Sequence, residues 1–370
     1  MELTTERSLN SPYLPRLDHL RLLAECLVFS FHTFHHLYGH WQPFPQWPAL
    51  GLVTEGYTGV ALFFVLSGYL FMRIAAQSRQ LDYRQFIRNR FLRIFPVFVF
   101  VFVLAISLGR DKFQPQDILY LFFSNLGQAP TSNSFLTGAA WTISIEFSFY
   151  LIFPFLAFFT RKQGSPYLLR LIALVLLFKV AAYTVSEQPV KLFYSTLLGR
   201  FDQFLIGMLA ALVARRFAQS LAKYANPFLL GASLLAWLTI GAQAHFASYF
   251  LDTARQPFWI IWPTLEAIMW ALFIVAYLSC SWSYPLWLER ALRWGGAVSY
   301  SLYLMHGLVI YSVHYYLRFW EPGQPIWKLL IYVPFIAALA WGLASLSYIT
   351  IEQPFLQLRK RYLNSNSETE

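Results

Sequence analysis

The sequence is short of charge and of cysteine. Only 12% of its 370 residues are Asp, Glu, Lys or Arg, against roughly 25% in an average soluble domain. A soluble chain of this length needs a charged shell, so that scarcity excludes an ordinary soluble fold. What stands in place of charge is apolar: 57% of the residues are hydrophobic, and they arrive in long runs, which points to lipid. The two cysteines, Cys26 and Cys280, both fall in apolar runs. They allow no disulfide framework and no zinc spacing, and both are expected to be inert buried thiols. No Pro, Gly or Ser-rich linker marks a second domain, no internal repeat of transporter type is visible, and low complexity is confined to NSNSETE near the end. The first residues, MELTTERSLNSPYLPRL, lack the charged start and apolar core of a signal peptide, so the first apolar run is expected to stay as a membrane span.

Ten spans follow, at about 17–38, 57–77, 94–109, 139–160, 168–186, 199–215, 227–245, 258–279, 297–318 and 327–351. The third is short and can extend backwards through Arg93. The stretch 119–127, LYLFFSNLG, is too short to cross and reads as an interfacial or re-entrant piece. With the N-terminus placed inside and the loops assigned alternately, the inner segments hold nineteen Lys and Arg and the outer ones seven. That bias favours two cytoplasmic termini and an even number of spans. It also accounts for the net charge of +10 without a nucleic-acid partner. The expected architecture is therefore an all-α, polytopic membrane protein. A cytoplasmic segment spans 1–16, one membrane domain spans 17–355, and a cytoplasmic tail spans 356–370.

Ionisable residues inside spans are costly and commonly functional. Arg21, Glu25 and His32 lie in the first span. On a helix, Glu25 is about 40° and His32 about 20° from Arg21, so the three share one stripe. Arg21 and Glu25, four apart, can pair. His32 lies about 16 Å further along the axis than Arg21, deep in the membrane. The plain alternative for His32 is a hydrogen-bonded packing residue; the chemical one is a neutral general base toward a hydroxyl. His35, His36 and His40 follow, but no converging carboxylate accompanies them, and no metal is expected. The run RQFIRNRFLRIFP at 84–96 can mark topology and touch anionic lipid. It can also form a phosphate site, because Arg90 and Arg93, three apart, can converge on one anion. Glu146, Asp202 and His306 are further polar residues within spans. Each can be an interhelical hydrogen-bonding residue; together they suggest a shared polar site.

These segments together resemble the acyltransferase-3 family of bacterial membrane O-acyltransferases. LDHLR...VFSFH is similar to its opening LDGLR...FH, and GYTGVALFFVLSGYLF to its GxxGVxLFFVLSGFLI. RNRFLRIFPVF resembles its basic RxxR element, and WTISIEFSFYLIFP its WSLSxExxFYLxFP. RFDQFLIGMLAA, YSLYLMH and IEQPF match later signatures, so the likeness runs from Leu17 to Phe355.

The resemblance implies an acyltransferase of about ten helices in the bacterial inner membrane. It would move an acyl group, chiefly acetyl, from cytoplasmic acyl-CoA to a hydroxyl of an envelope or exported glycan. It implies His32 as catalytic base with Arg21 and Glu146 beside it, and Arg90 and Arg93 near the CoA. The implied partners are acyl-CoA, a glycan or other hydroxyl-bearing acceptor, and the bilayer. Three positions depart from the family pattern: His19 replaces a usual Gly, Glu25 a small apolar residue, and Ser148 a polar amide or Glu. A transporter or flippase of a glycan or lipid-linked substrate is the alternative reading of the same buried charges. The roles of Glu25, Asp202 and His306, and the oligomeric state, are left open by sequence.

Overall fold

A computed structural model describes residues 9–10, 12–37, 48–77, 81–108, 141–249, 255–317 and 327–363. The 119–127 piece and His40 lie outside these residues. In hydrocarbon, backbone N–H and C=O groups have no water to bond, so a lipid-embedded apolar run must satisfy them within itself and becomes helical. Among the described residues ten long helices result: α1 Pro15–Leu37, α2 Thr58–Ala75, α3 Tyr83–Leu108, α4 Trp141–Gln163, α5 Ser165–Val185, α6 Leu197–Arg216, α7 Ala225–Phe246, α8 Phe258–Ser279, α9 Leu286–Leu317 and α10 Trp327–Ser347. Each expected span falls on one of them.

Nine helices among the described residues are long and apolar enough to cross a bilayer; α1 is not in that set, because its charges and histidines lower its apolarity. Two helices overrun the expected spans. The basic run before residue 94 is helical from Tyr83, and α9 begins at Leu286 through LWLERALRWGG. Charge ends an apolar run without ending a helix, so hydropathy reads these starts too late. Four helices carry internal prolines, Pro96, Pro154, Pro263 and Pro334, which neighbouring helices make tolerable in a membrane.

The bundle is assembled by close backbone approach. α2 packs most extensively on α6. A Cβ on Gly68 would stand 2.1 Å from the Phe204 carbonyl oxygen, and one on Gly207 2.1 Å from that of Val65. Only glycine fits on either side of this seam. α1 lies along α9, with Gly296 against Asp18 near one end and His36 against His314 near the other. The two helices thus run parallel, as the first and ninth of an alternating set must.

The two ends of the described chain meet. Asn10 Oδ1 accepts the N–H groups of Tyr362 and Leu363 at 3.0 and 3.2 Å. The closing segment is packed down: Asn89 Nδ2 donates to the Lys360 carbonyl at 2.6 Å, and Tyr362 is buried on Phe86. It therefore covers the start of α3, where the basic run lies. Cys280 is buried as expected, but Cys26 is exposed on the outer surface of α1.

Candidate active site

A cavity of about 100 Å³ opens among α1, α2, α3, α4 and α9, and Arg21, Arg90, Arg93 and Glu146 all line it. Four residues from three separate sequence segments thus share one space.

Glu146 is fixed from two sides. Ser67 Oγ donates to Glu146 Oε1 at 3.0 Å, and the Tyr150 hydroxyl donates to the same oxygen. Ser67 belongs to the LSG of α2 and Tyr150 to the FY that follows Glu146 on α4. Arg90 lies over the rings of Phe71, Phe86 and Tyr150, at 4.9, 5.6 and 5.9 Å from their centroids. Its Nε is buried with no hydrogen-bond partner, which leaves a donor beside the cavity for an incoming acceptor. Arg93 is held otherwise: its guanidinium donates to Glu352, which also accepts from Ser301 Oγ at 2.9 Å. Glu352 closes a π-helical turn, Tyr348–Glu352, that follows α10. Sequence reasoning noted IEQPF only as a signature and gave Glu352 no role; a π turn at a functional element is the structural signal, and hydropathy does not carry it.

Arg21 does not pair with Glu25. It donates to Asp18 at 2.6 Å, and Asp18 also accepts from the Tyr13 hydroxyl at 2.6 Å. Asp18 three residues back and Glu25 four ahead were both within helical reach. Asp18 lies at the chain-end side, where Arg21 is partly exposed, while Glu25 is fully buried against α9.

His32 is not among the residues lining the cavity. It lies beyond the inner end, which Tyr303 and Thr142 close with a 2.9 Å hydrogen bond between their hydroxyls. The Tyr303 ring is 6.0 Å from the ring of His306, and His306 Nε2 is 3.0 Å from His32 Nδ1. Two histidines 274 positions apart are thus neighbours. Asp202 belongs to a different place. It is buried in an ion pair with Lys179 at 2.8 Å and accepts from Thr264. Beside it Arg200 pairs with Glu266 at 3.0 Å. That cluster ties α5, α6 and α8 together, so the expected shared polar site divides into two. Among the described residues no three His, Cys, Asp or Glu side chains are grouped to hold a metal.

The sequence profile of a family described as an acyltransferase domain matches residues 14–345. The chain is 27% identical to the peptidoglycan O-acetyltransferase OatA of Listeria monocytogenes, over 92% of this chain and 56% of that protein. It is 25% identical to the O-acetyltransferase OatA of Staphylococcus aureus, over 94% of this chain and 58% of that protein. The chain therefore spans a little over half the length of these curated relatives. No solved structure gives a significant match.

Proposed function

This chain belongs to the acyltransferase-3 family whose profile spans it, and from that membership we propose a membrane O-acyltransferase that moves an acetyl group from cytoplasmic acetyl-CoA to a hydroxyl of a cell-envelope glycan such as peptidoglycan. The observation that carries this reading is the cavity in which Arg21, Arg90, Arg93 and Glu146 meet, ending one residue short of the His306–His32 pair.

The residues fit the donor. CoA is rich in phosphate, and the unpartnered Arg90 Nε beside the cavity suits a phosphate oxygen. Arg93 is held at the cavity wall by its ion pair with Glu352. In the orientation favoured by the loop charges, this end of the bundle faces the cytoplasm, where acyl-CoA is made.

In the transfer, the acceptor oxygen bonds to the thioester carbonyl carbon, the C–S bond breaks, and the hydroxyl proton must leave. His32, a neutral imidazole near the inner end, is the base that takes it. Glu146, held by Ser67 and Tyr150, orients groups at the wall. The test is direct. Cells carrying His32→Ala should contain the folded protein in the membrane but no O-acetyl groups from it, measured by mass spectrometry of envelope glycans. Wild-type levels of O-acetylation in that strain would remove His32 from the chemistry. Absence of any glycan change on deleting the protein would remove the glycan acceptor.

A further inference from the structure

We propose that Glu25 and His306 form a relay behind His32 that fixes which nitrogen of His32 acts as base and balances the charge it acquires; the proposal rests on the acyl-transfer reading above. Glu25 and His306 are thereby positioning residues that act through His32.

The geometry assigns the Nδ1 proton of each ring. His32 Nδ1 is 3.0 Å from the Val28 carbonyl oxygen, one helical turn back. A carbonyl only accepts, so Nδ1 of His32 carries hydrogen. His306 Nδ1 is 3.1 Å from the Leu302 carbonyl oxygen and 3.6 Å from Glu25 Oε1. Both partners accept, so Nδ1 of His306 carries hydrogen too. His306 Nε2 then has the lone pair, and it faces His32 Nδ1 at 3.0 Å. The order is carboxylate, His306, His32, and it leaves the lone pair of His32 on Nε2. A second imidazole is thus inserted between the orienting carboxylate and the base of a triad.

Glu25 supplies the reason for the chain. It is 0% exposed, and neither of its oxygens has a hydrogen bond. A carboxylate buried in that way is expensive unless a cation compensates it. Its neighbour at ion-pair distance is the His306 ring, which is itself buried between Phe29 and Tyr303. When the acceptor hydroxyl gives its proton to His32 Nε2, positive charge appears on the two-ring unit. His32 Nδ1–H strengthens its bond to His306 Nε2, and His306 Nδ1–H turns its dipole and charge toward Glu25. As the C–S bond breaks, the proton on Nε2 passes to the thiolate sulfur. The relay ends as it began, with the thioester and hydroxyl converted to ester and thiol.

The test uses the full chain in lipid nanodiscs with acetyl-CoA and a soluble glycan acceptor. Glu25→Gln should lower kcat on the order of 100-fold while KM for acetyl-CoA stays within about twofold. Glu25→Asp should regain at least about tenfold of that loss. The double variant Glu25→Gln/His306→Gln should lose no more than His306→Gln alone, because the two act as one unit. If Glu25→Gln does not fold, Glu25→Leu, which removes the buried charge at similar volume, serves in its place. A second readout does not need turnover. In solid-state spectra of protein labelled with ¹⁵N-histidine, Glu25→Gln should shift the ring nitrogens of both His306 and His32 and leave those of exposed His245 in place. Full kcat in Glu25→Gln, multiplicative losses in the double variant, or unmoved His32 nitrogens would each overturn the relay. Wild-type protein that transfers no acetyl to any hydroxyl would overturn the acyltransferase reading instead, with the spectra still reporting on the relay.

Discussion

On one side of the bundle Lys179, Asp202, Arg200 and Glu266 are buried in two ion pairs at 2.8 and 3.0 Å. On the other side Glu25 is buried with no hydrogen bond, and Arg90 keeps a buried Nε without an acceptor. What separates them is charge pairing. Asp202 Oδ1, Arg200 Nη2 and Glu266 Oε1 also lack a hydrogen bond, but each of these ions holds an opposite charge and the pairs pin α5, α6 and α8 together. Ions without an opposite charge beside them gain most when something arrives to supply it. Inside a membrane, where every unpaired ion is costly, that incompleteness marks the working side.

Several experiments break or sharpen this contrast. The largest effect is expected on the working side. His32→Ala should reduce acetyl transfer by about 10² to 10⁴-fold, with unchanged yield of folded protein on size-exclusion chromatography. Comparable in energy but opposite in kind, Lys179→Met should strand Asp202 and cost about 3–5 kcal/mol of stability, read as a lowered melting temperature, while kcat of the surviving folded protein holds. The double variant Lys179→Met/Asp202→Leu should recover most of that stability. Smaller again, Arg90→Ala should raise KM for acetyl-CoA about tenfold or more. It removes a charge-assisted contact worth about 1.5–3 kcal/mol, at 1.4 kcal/mol per tenfold, and kcat should change little. Least of all, Cys26→Ser, on the outward face of α1, should alter stability by no more than about 0.5 kcal/mol. A membrane-permeant maleimide should label Cys26 and spare Cys280.

The ten long helices of the described residues, nine of them long and apolar enough to cross a bilayer, were legible because a bilayer imposes a length and a composition, and both are written locally. Arg21, Arg90, Arg93 and Glu146 were legible as out-of-place polar residues, and the family likeness put them in one protein. Their meeting in one cavity is a fact of packing among α1, α3 and α4. Partner choice was not legible. Helical spacing allowed Arg21 either Asp18 or Glu25, and the depth of burial against α9 decided it. The His32–His306 contact depends on α1 lying parallel to α9, which no local pattern encodes. Glu352 was hidden for a different reason: its π turn shifts the side chain off the regular helical register, so it reaches Arg93 where an ordinary helix would carry it elsewhere. Asp202 looked like a site residue because Lys179, its partner, lies in an apolar run that gives no hint of which helix it faces.

The seam between Gly68 and Gly207 bears on how two substrates would meet in the proposed reaction. At that crossing each backbone carbonyl already sits where a side chain would begin, so α2 and α6 have no slack to slide or roll past each other. A machine that works by rocking two halves needs a lubricated joint, and this one is closer to a weld. On the proposed reading, traffic would then have to come to a stationary reaction point from opposite directions: a long flexible donor threading in from one face, and a sugar hydroxyl pressing in from the other.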